Sequence, residues 1–148
     1  MYLSMATLLN DAARHNYAII AANALNLEMA RGLISAAVHK ESPLIIILGG
    51  NQMARHANGE LMAGLIRTLA ESAPVPVALC LDHGKDFAKV AYCLRHGFNS
   101  IMVDASAYDI ADNIARTQKV VELCRPLGIG VEGELGHVGM AAALDGRN

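Results

Sequence analysis

Polar residues stand where the apolar runs of this sequence stop: Asn23, Asp82 with its neighbour His83, Asp104 and Glu134. Carboxylates grouped with an imidazole suit a divalent metal beside a general acid/base. The sharpest junction is Val75-Pro76-Val77-Ala78-Leu79-Cys80-Leu81 followed by Asp82-His83-Gly84. A buried strand that ends this way leaves two titratable groups where the backbone leaves the core, and catalytic groups of parallel α/β folds sit at such carboxyl ends. Plainer readings stand beside this one. Asp82 could instead cap a helix starting near Lys85, Asp104 form a turn before Ala105-Ser106, and His83 bind nothing. Glu134 resists such a reading, because it lies within the run Val131 to Leu135 and a buried Glu needs a partner. Glu132 alternates with it on one face, which leaves open which of the two is structural. Gly49-Gly50 fits either close approach to a phosphate or a turn. His137 reads as a loop residue, and the methionines as packing.

Five elements must carry these residues. The runs Tyr17 to Asn23, Pro43 to Gly49, Val75 to Asp82, Ser100 to Ser106 and Ile129 to Gly136 are rich in Ile, Val and Leu without strict alternation. They read as strands buried on both faces. Helical stripes lie between them: Leu27, Ala30, Ile34, Ala37 and Val38; Leu61, Leu65, Ile66 and Leu69; Phe87, Val90, Ala91 and Leu94; Ile110, Ile114, Thr117, Val121 and Cys124. Gly97 fits the position just past the third helix. Asp109 fits a cap for the fourth, with Asp112 in its first turn and Pro126 and Gly128 at its end. Ser4 to Arg14 predicts an additional helix ahead of the first strand. Strand starts recur every roughly 25–32 residues, the spacing of βα units with parallel strands. Both a doubly wound open sheet and a (β/α)8 barrel fit. A barrel needs about 250 residues, so in that case residues 1–148 are the N-terminal part of a single barrel domain.

Composition narrows the function. The chain has 148 residues, 53% hydrophobic and 18% charged, with a net charge of −2, which suits one globular domain. There is no basic stripe for nucleic acid, and runs such as Leu44 to Leu48 are too short for a bilayer. Asp11, Arg14 and His15 stand where a signal peptide needs an apolar stretch. Cys80, Cys93 and Cys124 follow no zinc or disulfide spacing, which points to a reducing cytoplasm.

The segments Val77 to Gly84 (VALCLDHG), Gly97 to Ser106 (GFNSIMVDAS), Asn113 to Val121 and Val131 to Gly139 (VEGELGHVG) resemble the class II, zinc-dependent ketose-bisphosphate aldolases, in the tagatose-bisphosphate and fructose-bisphosphate branches. The resemblance implies a (β/α)8 barrel, of which this chain supplies the first five βα units. It implies reversible cleavage of a phosphorylated ketose to dihydroxyacetone phosphate and an aldehyde. In those terms Asp82 matches the catalytic acid/base, His83 a ligand of the catalytic Zn2+, and Asp104 and Glu134 the carboxylates of an alternative or second metal position. The resemblance implies that zinc would stabilise the enediolate, and Asn23 matches a substrate-binding residue. A homo-oligomer, dimer or tetramer, is implied as well.

The chain departs from the family in two places. Gly49-Gly50 stands where Ser or Thr is common. Gly139 is followed by Met140-Ala141-Ala142-Ala143-Leu144-Asp145, where many members carry a Gly-Gly-x-Glu-Asp loop. The family's other two zinc histidines and its phosphate-binding glycines belong to later strands. A metal- or phosphosugar-binding remnant without activity, and a metal-dependent sugar-phosphate epimerase, share the same strand-end logic.

Overall fold

The computed structural model describes residues 1–136. Five parallel strands, β1 (Ala21–Asn23), β2 (Leu44–Gly49), β3 (Val77–Gly84), β4 (Ser100–Val103) and β5 (Gly130–Gly133), form one sheet in the order β1-β2-β3-β4-β5. Helices α1 (Met5–His15), α2 (Leu27–His39), α3 (Gly50–Arg55), α4 (Gly59–Ser72), α5 (Phe87–Arg95) and α6 (Ile110–Cys124) accompany them. A doubly wound sheet reverses its strand order at a switch point. The order here runs straight through, which is the pattern of a barrel segment. No helix among the described residues is long and apolar enough to cross a membrane.

The two faces of the sheet are packed differently. Ile46, Leu48, Leu79, Leu81 and Ile101 are fully buried in one core with residues of α2, α4, α5 and α6. Their neighbours in the strands, Ile45, Ile47, Ala78, Cys80 and Met102, meet Met5 and Leu8 of α1 on the other face. Helix α1 also accepts a tie from β4, since the Met5 amide donates to Ser100 Oγ at 2.8 Å. One face therefore carries α2 to α6, and among the described residues the other is covered by α1 alone.

The strand ends differ from the sequence reading for local reasons. β1 starts at Ala21, because the Tyr17 amide still donates to Ala12 O at the end of α1 and its hydroxyl to Asp11. β4 stops at Val103, because Asp104 turns back onto Ser106. β3 runs on to Gly84 through an irregularity in its pairing with β4 between Leu81 and Gly84. Gly49-Gly50 opens the short helix α3, with the Gly49 amide donating to Gln52 Oε1 at 2.8 Å. The expected helical faces are rotated in α4 and α6, and in α5 Phe87 is exposed while Cys93 is buried. In α4, Leu61 is 71% exposed while Met62 and Ala63 are buried. In α6 the buried residues are Asn113, Val120 and Cys124, and Ile110 and Ile114 face out. Asp109 caps α6 through Asp112 N, and Gly97 at φ +85° follows α5, both as the sequence predicts.

A Cβ on Gly84 would lie 2.7 Å from Met102 O and 2.8 Å from Leu81 Cδ2. Gly84→Ala should therefore destabilise the fold by roughly 1–3 kcal/mol, read as a lowered urea midpoint. An unchanged midpoint would mean that β3 and β4 separate there without cost.

Candidate metal centre

Side chains alternate along a strand, so Asp82 continues the face of Ala78 and Cys80, Asp104 that of Met102, and Glu134 that of Glu132, which pairs with Met102. Asn23 pairs with Ile47 on the same face. The polar strand ends thus lie on the face away from α2, α4, α5 and α6, at the carboxyl edge. By the same alternation His83 belongs on the opposite face. The irregularity in β3 changes that. His83 takes φ +49°, a left-handed conformation costing about 1 kcal/mol in a residue with a Cβ, and Gly84 fits against β4 beneath it. His83 Nδ1 consequently donates to Asp104 Oδ2 at 3.0 Å and lies 3.3 Å from Glu134 Oε2.

His83, Asp104 and Glu134 each bring one ligand atom within 4.8 Å of the others. Asp104 is held by its own loop, with Oδ1 accepting from Ser106 Oγ at 2.7 Å and Ser106 N at 3.3 Å. Glu134 is held through its backbone. Its carbonyl accepts from Asn113 Nδ2 at 2.8 Å, and Thr117 Oγ1 donates to Asn113 Oδ1 at 3.3 Å. Glu134 Oε2 is buried and accepts no hydrogen bond among the described residues. A buried carboxylate oxygen left this way is costly, and a dication beside it removes the deficit. The donor types and their convergence fit a divalent metal.

Asp82 and Asn23 lie outside this cluster. Asp82 is half-buried at the level of Gly49, and it does not cap α5. That role belongs to Asp86, whose Oδ1 accepts from Lys89 N at 2.7 Å. Asn23 is exposed at the end of β1. Ser106, Asn113 and Lys85 are the participants that sequence reasoning passed over. Ser106 follows Asp104 at the spacing of a local side-chain turn, and Asn113 opens one of the family segments without a role of its own in that reading. His137 and residues 139–145 lie outside the described residues.

The charges act on one another. Burial penalises the imidazolium of His83, but the Asp104 hydrogen bond and the charges of Asp82, Asp104 and Glu134 outweigh it and raise the His83 pKa above 6.5. Burial likewise penalises the Asp104 carboxylate, yet the bonds from Ser106 and His83 hold it at about 2, against an ordinary 3.8. Burial, and then Asp82, push Glu132 up. In metal-free protein the depressed Asp104 pKa gives stability that is complete above pH 3.8 and lost as pH falls through its folded value. The raised His83 pKa gives stability that is complete below pH 6.5 and lost as pH rises through its folded value. With a chelator present, the urea midpoint of the parent minus that of Asp104→Asn should peak between about pH 4 and pH 6.5. A difference that does not vary with pH would mean that the pair is not formed.

Residues 3–147 match the family described as fructose-bisphosphate aldolase class-II. The uncharacterized protein YdjI of Escherichia coli K12 is 42% identical over 130 residues, covering 88% of this chain and 46% of YdjI. A probable fructose-bisphosphate aldolase of Bacillus subtilis is 40% identical over 141 residues, covering 93% of this chain and 49% of that protein. The crystal structure of the YdjI aldolase superposes with a TM-score of 0.87 at 38% identity, over 92% of this chain and 51% of that one. The chain thus spans about half the length of the curated relatives it matches. With its unreversed parallel strands and the segments around Asp82, Asp104 and Glu134, this chain belongs to the class II fructose-bisphosphate aldolase family.

Proposed function

We propose that residues 1–148 are the N-terminal part of a single (β/α)8 barrel that reversibly cleaves a phosphorylated ketose to dihydroxyacetone phosphate and an aldehyde, with His83 a ligand of the catalytic Zn2+ and Asp104 and Glu134 the carboxylates of an alternative or second metal position. The observation that carries this reading is the convergence of those three donors around the unsatisfied Glu134 Oε2, in a chain of this family. The barrel reading draws on the free side of β5, which pairs only with β4 among the described residues. Beside it lie the exposed Ile110 and Ile114 of α6 and Leu135, apolar surface that a following βα unit would cover.

Asp82 is the acid/base. It follows Cys80 on the face away from the helix layer, close enough to Glu132 to raise that carboxyl. In cleavage its carboxylate accepts the proton of the C4 hydroxyl, and in synthesis it returns that proton to the aldehyde oxygen. Asn23, exposed at the same edge, offers an amide to the substrate. His83 supplies one ligand of the zinc, Asp104 and Glu134 offer the neighbouring metal position, Ser106 and Asn113 keep the two carboxylates in place, and α1 closes the opposite end of the face. Bound zinc supplies Lewis-acid polarisation of the substrate carbonyl. The same reading takes a phosphorylated sugar as the small-molecule partner, a homo-oligomer as the assembly and the cytoplasm as the setting, where the buried thiols of Cys80, Cys93 and Cys124 stay reduced.

In a polypeptide that carries the full barrel, Asp82→Ala should lower kcat for aldol cleavage by roughly 10²–10⁴-fold with zinc content unchanged. Activity per folded molecule that survives the substitution would remove Asp82 from the chemistry. A catalytic zinc takes three protein ligands and keeps one open position, and family resemblance assigns two further histidines to later strands. The 148-residue chain should therefore hold zinc weakly after dialysis and the full barrel tightly, with His83→Ala abolishing both. Tight binding to the short chain that withstands His83→Ala would refute the ligand assignment.

A further inference from the structure

Lys85 stands at the rim of the cluster. Its ammonium lies 3.8 Å from Asp104 Oδ2, the same oxygen that receives the His83 bond. Asp104 has no need of this partner. Its other oxygen takes two bonds from Ser106, its side chain is only 9% exposed, and Lys85 is 71% exposed. A pair this open to solvent contributes little to stability. Its place is nevertheless set by the backbone, because Lys85 directly follows the His83-Gly84 irregularity that packs β3 against Met102 O. A cation beside a donor oxygen opposes a dication at that oxygen, and the opposition weakens with solvent and salt.

We propose that Lys85 is a positioning residue that competes with the divalent metal for Asp104, so that metal entry displaces its ammonium from Oδ2 towards the mouth. The inference rests on the metal-centre reading above. It makes the affinity of the centre depend on a side chain that is not a ligand.

The test uses the tag-free 148-residue chain and Co2+, whose binding is followed by visible absorption, at low ionic strength. Lys85→Gln should tighten Co2+ binding on the order of 3- to 10-fold, and the gain should shrink as salt is added. Lys85→Arg should bind as the parent does. Lys40→Gln makes the same charge change beyond the end of α2, ahead of β2, and should leave the affinity unchanged. In an Asp104→Asn background, Lys85→Gln should give no gain, because the shared oxygen is gone. Parent affinity in Lys85→Gln, or a gain that persists in the Asp104→Asn background, would overturn the competition while leaving a His83-dependent centre intact. Co2+ binding that is indifferent to His83→Ala, or absent even from a polypeptide that carries the full barrel, would overturn the metal centre and the role of Lys85 with it.

Discussion

The arrangement depends on one backbone constraint, the turn of β3 at His83-Gly84. Asp82 and His83 are adjacent, and in a regular strand they would face opposite layers. The left-handed backbone at His83 and the close packing of Gly84 on Met102 O bring the imidazole round to the face of Asp104 and Glu134. Neither feature is favourable by itself. A left-handed histidine carries strain, and Gly84 leaves no room for a side chain. Both are held because Leu81, Ile101 and Val103 are buried on either side of them.

The second constraint is electrostatic. Asp82, Asp104, Glu132 and Glu134 gather at one edge with His83 and Lys85 as the near cations. Burial first and then this negative charge raise Glu132, the charge raises His83 against its burial, and it is only partly answered by the Ser106 and His83 bonds to Asp104. Local supports share the burden. Ser106 fixes one carboxylate by two hydrogen bonds, and Asn113 fixes the backbone of the other from a helix that packs outside the sheet. The geometry of the centre is thereby tied to α6 as well as to the strands.

The packing layers explain why chemistry is confined to this edge. On the outer face the helices bury Ile46, Leu48, Leu79 and Leu81 in an apolar core. On the inner face α1 fills the amino-terminal end with Met5 and Leu8, beside Ile45, Ala78 and Cys80. Only the carboxyl end of the inner face remains for Asn23, Asp82, Asp104 and Glu134.

Much of this was legible in the sequence. The five strands, the parallel βα spacing, the Asp109 cap and the polar strand ends follow from apolar runs and capping chemistry, which act over a few residues. The family segments followed from the same short stretches. The short helix α3, the rotated faces of α4 and α6, and the ends of β1 and β4 did not, because each is set by a partner distant in the chain or by a turn competing with the strand. Alternation from the apolar runs places Asp82, Asp104 and Glu134 on a common face, but it places His83 on the other. Only the tertiary structure, with Gly84 seated against β4 and Asn113 reaching Glu134 from α6, brought the imidazole to the carboxylates. A register shift between strands is decided by packing across the sheet, and no local pattern of residue types records it.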